Sequence, residues 1–466
     1  MTRAATCTTK DPKTISVERW QRGLALAITC CAAWTAQAAA PAAATAARNR
    51  PPLTSNSRID AALAQIQKED AQTLREQIEI AQIPSPPFKE SVRAKDYLRR
   101  LQTLGLADAG IDAEGNVIAR RKGAGGGPTL VLSAHLDTVF PAGTDVTVRE
   151  KDGRYFGPGF VDDSRGLTVL LTVLRAMQAN DLKTTGDVLF VGTVGEEGLG
   201  NLRGVKALFR DHKDIDGFIS VDSVSGKIVN QATGSRRWSA TFTTGGGHSF
   251  HNFGLPSAIH AMGRAIAKID ELRPPADPKT TFTVGVVSGG TSVNAIAGEA
   301  QMQVDIRSNS AVELAKLEQQ ILAAIDQAVA DENTRWNSKE TKVQTRLLGD
   351  RPASAGHDDT AVVRAAREAA AALKLPPPEL SAASTDANVA LSLGIPAATL
   401  SAGGRGDNFH SLDEWYEPKN AWLGPQGVLL TVLSLVGVEG VSPPLLERSS
   451  ARRPQAQPTR RDPGTH

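Results

Sequence analysis

The sequence predicts an α/β fold: a mostly parallel sheet flanked by helices, with a second, α+β domain inserted into it. Three observations carry this. From about residue 57, short apolar runs alternate with segments of helical apolar spacing; between 236 and 350 the rhythm changes; afterwards the first rhythm returns. Residues 58–83 (RIDAALAQIQKEDAQTLREQIEIAQI) and 91–105 (SVRAKDYLRRLQTLG) space their apolar side chains as amphipathic helices do. PTLVLSA, DVLFVGTV, GFISV and IPAATLSA are continuously apolar and bounded by Gly, Pro or polar residues. Strands apolar on both faces belong to a parallel sheet covered on both sides.

The middle segment reads as strand RWSATFTTGG, helix SAIHAMGRAIAKIDEL, strands TFTVGVVSGG and EAQMQVDIRS, the long helix AVELAKLEQQILAAIDQAVADEN, and strand TKVQTRLLGD. This order, β-α-β-β-α-β, is ferredoxin-like. Helical patterning resumes with DDTAVVRAAREAAAALKL and ends with PQGVLLTVLSLVGV. The first domain is therefore expected over 57–235 and 351–446, interrupted by an inserted domain over 236–350.

At 466 residues and 41% hydrophobic content, two soluble domains are the natural expectation. Arg19 and Arg22 precede the apolar stretch GLALAITCCAAW, and a small-residue run with Ala-x-Ala cleavage options follows. That is the layout of a signal peptide over 1–40, with a linker over 41–56. Its apolar run is short for a membrane span, so a periplasmic or secreted protein with no stable span after cleavage is expected. Cys7, Cys30 and Cys31, the only cysteines, all lie inside this segment. Any metal in the mature protein must then be held by His, Asp and Glu. The net charge of +2 conceals a basic N-terminal segment and a basic tail around a net-negative body. No basic face suggests nucleic acid. The tail over 447–466 is Pro-rich and polar, the composition of a disordered segment.

Metal-binding and proton-moving side chains follow the predicted strands. His135 and Asp137 come after TLVLSA, Glu196 and Glu197 after DVLFVGTV, Asp222 after GFISV, and His410 lies in the loop GGRGDNFHSLDE after IPAATLSA. Parallel strands open their carboxyl ends on one side of a sheet, so these distant groups can share one crevice. Asp162 sits in the turn GPGFVDDSRG, which feeds a helix. Capping by Asp163 or Ser164 explains one acid of that turn but not both. Two imidazoles and several carboxylates in a dry crevice need a neutralising cation, and zinc suits nitrogen and oxygen donors. Two ions can share one bridging carboxylate, and of two adjacent glutamates one can bind metal while the other stays free as a base.

The segments SAHLDTVFP, GPGFVDDSRG, GEEG, SVDS, GGGHS, SVNAI…VDIRS and GRGDNFHSLDE, in that order around an inserted domain, resemble the M20 family of dinuclear zinc peptidases and amidohydrolases. The resemblance runs from about residue 60 to 440 and implies a zinc-exopeptidase-like fold holding two Zn2+, with Co2+ or Mn2+ as substitutes. It implies that His135 and Asp222 complete one zinc, that Glu197 and His410 complete the other, and that Asp162 bridges them. Asp137 would orient His135, and Glu196 would act as general base and acid. His248 resembles the histidine that, in dimeric relatives, reaches the partner subunit's site and stabilises the oxyanion, which implies a homodimer. Asn294 and Arg307 match substrate-holding positions, Arg307 as a fork for a carboxylate. Two departures stand out: Pro158 replaces a residue that is often basic, and Ser164 replaces a usual lysine, with Arg165 beside it.

The expected activity is zinc-dependent hydrolysis of an amide bond in short peptides, of exopeptidase type, by a metal-activated water with Glu196 as base. Asp222, in place of Glu, resembles the aminopeptidase and dipeptidase side of the family. The alternatives are an N-acyl amino acid deacylase on the same site and, in another class, a catalytically silent peptide-binding protein. Asp386, in STDANV, reads as a helix N-cap in the site wall.

Overall fold

The computed structural model describes residues 52–449. The predicted signal peptide, most of the linker and most of the tail lie outside these residues. Among those described, no helix is long and apolar enough to cross a membrane.

An eight-stranded sheet forms the body. From one edge to the other its strands are Gly110–Ile111, Val117–Arg121, Asp187–Thr193, Thr129–His135, Gly217–Val221, Ala397–Leu400, Ile228–Ala232 and Leu380–Ala383. The four central strands, ending at Thr193, His135, Val221 and Leu400, are mutually parallel. Antiparallel joints set off both edges. Side chains alternate across this sheet: Leu130, Leu132 and Ala134 pack with the helices Ser164–Ala179 and Leu423–Val436. Val131, Leu189 and Val191 pack on the other face against Val205 and Leu208 of the helix Arg203–Asp211. Each such Leu or Val contributes about 1.5–3 kcal/mol by leaving water, which is why continuously apolar strands end up between two helical layers.

Residues of the middle segment form a separate antiparallel sheet. Its spatial order is Thr280–Gly289, Glu299–Ser308, Gly234–Thr243, Lys342–Arg351. The helices Ala258–Asp270 and Ala311–Arg335 share one apolar core with it. The ferredoxin-like expectation and the mostly parallel main sheet are both observed.

Three features differ from the sequence reading. Residues 58–83 are two helices, Ser57–Lys68 and Asp70–Ala81, broken at Glu69. Acids there oppose the negative end of the first helix and favour the positive start of the second. The strands Val117–Arg121, Ile228–Ala232 and Leu380–Ala383, toward the two sides of the sheet, escape apolar-run reading because they are mixed in polarity or half-buried. A small antiparallel sheet of Arg405–Asp407, Trp415–Glu417, Arg154–Phe156 and Arg149–Lys151 runs through what reads as glycine-rich loop.

Candidate metal centre

Local backbone places His135, Asp222 and the Glu196–Glu197 pair at or just past the ends of central strands, Asp162 in the turn before the helix Ser164–Ala179, and His410 between the strands Arg405–Asp407 and Trp415–Glu417. His135 is the last residue of its strand, and Asp222 directly follows Val221. Between Thr193 and the Glu196–Glu197 pair the chain turns at Gly195, whose φ of 67° favours glycine. A Cβ there would lie 2.6 Å from Arg203 Cγ. Asp163 caps the helix Ser164–Ala179 by accepting from the Gly166 N–H at 3.0 Å, and its other oxygen accepts from the His135 N–H at 2.9 Å. Capping thus accounts for Asp163 and leaves Asp162 to the site.

Asp162 is the centre of the cluster. Its Oδ1 lies 2.8 Å from His135 Nε2, and its Oδ2 lies 3.1 Å from His410 Nε2. His410 Nε2 is also 2.9 Å from Glu197 Oε1. Donor atoms of His135, Asp162 and Glu197 all fall within 4.8 Å of one another. His135 is buried, whereas His410 is 55% exposed, so the cluster has a dry side and an open side. Asp222 joins electrostatically: burial, with the Asp162 charge beside it, pushes its carboxyl up to about 7.

Asp137 does more than orient an imidazole. His135 Nδ1 donates to the Asp137 backbone carbonyl at 3.0 Å, while the nearer Asp137 carboxylate oxygen is 3.7 Å away. The carboxylate itself accepts the backbone N–H groups of Glu196 at 3.1 Å and Glu197 at 2.8 Å. With Nδ1 protonated toward a carbonyl, Nε2 is free to face Asp162 and a metal.

Several supporting groups lie beyond the sequence reading. Glu414, fully buried, accepts from the backbone N–H groups of Gly159, Val161 and Asp162, and so shapes the turn that presents Asp162. Buried Arg93 donates to the carbonyl of Leu136, between His135 and Asp137. Arg351, also buried, holds Glu196 Oε1 at 3.2 Å and bonds the Glu196 carbonyl. Their only signal in the sequence is that each is a charged residue, which says nothing of burial. The departures at 164 and 165 are also placed: Ser164 donates to the Gly159 carbonyl at 2.6 Å, and buried Arg165 donates to the carbonyls of Ala402 and Ala421. Asp386 occupies the N-cap position of the helix Ala387–Ser392 without capping it; its carboxylate accepts from the Thr193 hydroxyl instead.

Carboxylates outnumber cations here. Burial pushes the Glu196 carboxyl well above its ordinary value against the pull of Arg351, and it raises buried Asp163 likewise. Glu414 is raised to about 8 and Asp386 to about 6, both chiefly by burial. Hydrogen bonds to Asp162 and Glu197 raise His410 to about 10. Despite burial, the carboxylates of Asp137 and Asp162 hold His135 well above the imidazole range, and the two imidazoles in turn lower Asp162. A buried surplus of negative charge around nitrogen and oxygen donors is what divalent cations neutralise, so the residues fit zinc.

Three expected residues stand apart. His248 is exposed in the inserted domain, 4.6 Å ring to ring from His251. Asn294 is exposed there and accepts from the Ser292 hydroxyl, while Arg307 Nε donates to Asp305 at 2.7 Å. Among the described residues, no hydrogen bond or ion pair links any of the three to the Asp162 cluster.

Donors gathered at parallel strand ends, beside an inserted antiparallel domain, place this chain among the metal-dependent hydrolases. The family follows from sequence: the profile of peptidase family M20/M25/M40 matches residues 131–431, and the chain belongs to that family. It is 29% identical over 349 residues to the uncharacterized protein YqjE of Bacillus subtilis, covering 71% of this chain and 90% of that one. Over 252 residues it is 27% identical to a succinyl-diaminopimelate desuccinylase of Leptothrix cholodnii, covering 50% of this chain and 65% of the relative. Its fold resembles a tripeptidase from Staphylococcus aureus with a TM-score of 0.67 at 24% identity, covering 78% of this chain and 97% of that one.

Proposed function

We propose that this family member is a dizinc hydrolase that cleaves an amide bond in short peptides, as an exopeptidase. One observation carries the reading: the two oxygens of Asp162 are divided between His135 and His410, as a carboxylate bridging two ions requires. His135, Asp162 and Asp222 would hold one ion, and Asp162, Glu197 and His410 the other; Co2+ or Mn2+ would substitute. Bound zinc supplies Lewis-acid polarisation of the scissile carbonyl and acidifies water. Glu196 takes the proton from the attacking water and delivers it to the leaving amine, a role its burial and raised affinity for protons suit. Arg351 engages Glu196 Oε1, which fixes the carboxylate and leaves Oε2 for the transfer. The oxyanion would be met by His248 from a second copy, and the substrate carboxylate by Arg307 with Asn294 beside it.

A second reading, N-acyl amino acid deacylase, is favoured by the sequence match to a desuccinylase, since the tripeptidase likeness is one of fold. The test is metal content followed by hydrolysis of di- and tripeptides against N-acyl amino acids, with a chelator control. Zinc-dependent release from peptides supports the proposal. Release only from acyl amino acids moves it to deacylase, and bound metal with no turnover leaves a silent binder. Export is part of the proposal and rests on residues 1–40; the N-terminal mass of protein recovered from periplasm and medium checks it.

A further inference from the structure

A cavity of about 310 Å3 lies between the helices Ala361–Ala372 and Leu423–Val436 and the loops that follow Val221 and Leu400. None of the proposed metal ligands lines it. Its body is apolar, built from Ile228, Ala370, Leu373, Leu400 and Val428, and Lys227, Arg405 and Lys419 lie on its wall as well. We propose that this cavity binds an amphiphile with a single carboxylate, of the medium-chain fatty acid class, with its aliphatic body between the two helices and its carboxylate among these three cations.

Three observations bear on the occupant. The volume is at the lower end of what small-ligand sites offer, and the mostly apolar wall with a few polar groups is their usual chemistry. The charge is one-sided: no acidic residue lines the cavity, and among the described residues neither Arg405 nor Lys419 has an ion-pair partner. Lys227 does have one, the exposed Glu379 at 2.7 Å. A carboxylate is matched by such a wall, whereas the ammonium of a free amino acid or peptide is repelled, which separates this ligand class from the proposed peptide substrates.

The third observation is Gly427, inside the helix Leu423–Val436. Glycine is a poorer helix former there than alanine. Packing does not demand it, because a Cβ at 427 would meet only Leu373 Cδ1, at an ordinary 3.8 Å. Nearby Gly424 differs, since its Cβ would fall 2.2 Å from the Ala402 carbonyl oxygen. Gly427 therefore keeps space open on the cavity wall at some expense to the helix. A resident aliphatic chain gives that space a use.

The experiment is calorimetric titration of the full chain with octanoate and decanoate, without peptide substrate, so that its result does not depend on the hydrolase reading. Saturable one-to-one binding is expected, tightening about fourfold for each added methylene. Gly427→Leu should abolish it while circular dichroism and the melting temperature stay at or above wild type. The pair Arg405→Gln and Lys419→Gln should weaken decanoate about tenfold, as loss of charge-assisted hydrogen bonds does, and leave decanol unaffected. Absent binding, non-saturating uptake, unchanged binding in Gly427→Leu, or decanol binding as tightly as decanoate would each overturn the proposal.

Discussion

At the scale of single residues, Glu196 and Glu414 show two uses of a buried carboxyl. Glu196 is held by Arg351 on one oxygen and is proposed to move a proton. Glu196→Gln keeps the shape and removes the base, so turnover should fall by about a hundredfold to ten-thousandfold while zinc content stays at wild-type level. Metal analysis beside kinetics checks this, and loss of zinc in that variant would make Glu196 a ligand instead. Glu414 acts only through the turn it grips, since its partners are the backbone N–H groups of Gly159, Val161 and Asp162. Glu414→Ala leaves these donors without an acceptor, at about 1–3 kcal/mol for each one that stays buried. The expected result is a lower denaturation midpoint and loosened binding of both metals in competition with a chelator, which Glu414→Gln should partly restore. The proposed ligands were legible in the sequence because a His or Asp at a strand end declares its chemistry. Glu414, Arg93 and Arg351 were not, because long-range burial turns ordinary surface residue types into site supports.

At the scale of elements, the helix Ser164–Ala179 must approach the end of the Gly217–Val221 strand closely, and Gly166 allows it. A Cβ at 166 would lie 2.0 Å from the Val221 carbonyl oxygen and 2.2 Å from Asp163 Oδ1. Alanine favours a helix over glycine by about 1 kcal/mol, but the clash is with backbone and with a cap that also holds the His135 N–H. Gly166→Ala should therefore destabilise by about 1–3 kcal/mol net, the usual cost of overpacking, and should reduce metal affinity because Asp222 follows Val221. Urea unfolding and metal titration read the two effects; a stabilised variant would show that the contact relaxes freely. The central strands and the helix Leu423–Val436 over them were readable from apolar spacing, since burial on both faces leaves an unbroken apolar run, whereas the helix Arg203–Asp211 on the other face was not predicted. The strands toward the sheet's two sides and the small sheet at Arg405–Asp407 were not readable either, because mixed-polarity or half-buried strands carry little apolar pattern.

On the scale of the whole molecule, the inserted domain exposes what a single chain does not use. Phe250 and Phe253 are each 81% exposed, Val293 is fully exposed, and Val286 and Val287 are more than half exposed. The last two lie on Thr280–Gly289, an edge strand of the antiparallel sheet. Exposed apolar side chains beside an open strand edge are features of an association surface, and a second copy is the occupant that the family resemblance implies. His248 lies in the same domain, where its ring accepts from the Phe250 and His251 N–H groups and its backbone pairs with Ala295. The proposal makes each site depend on the partner's imidazole, and that dependence can be measured by mixing two inactive variants. Glu196→Gln lacks the base but offers His248; His248→Ala keeps the base but lacks the imidazole. Equal mixing with subunit exchange makes half the dimers mixed, each with one complete site, so about a quarter of wild-type activity should return. Light scattering should show the dimer, and Val287→Lys on the edge strand should reduce both dimer and recovered activity. If the mixture stays as inactive as its components while exchange is demonstrated, His248 does not act between subunits and the oxyanion must be met from within one chain.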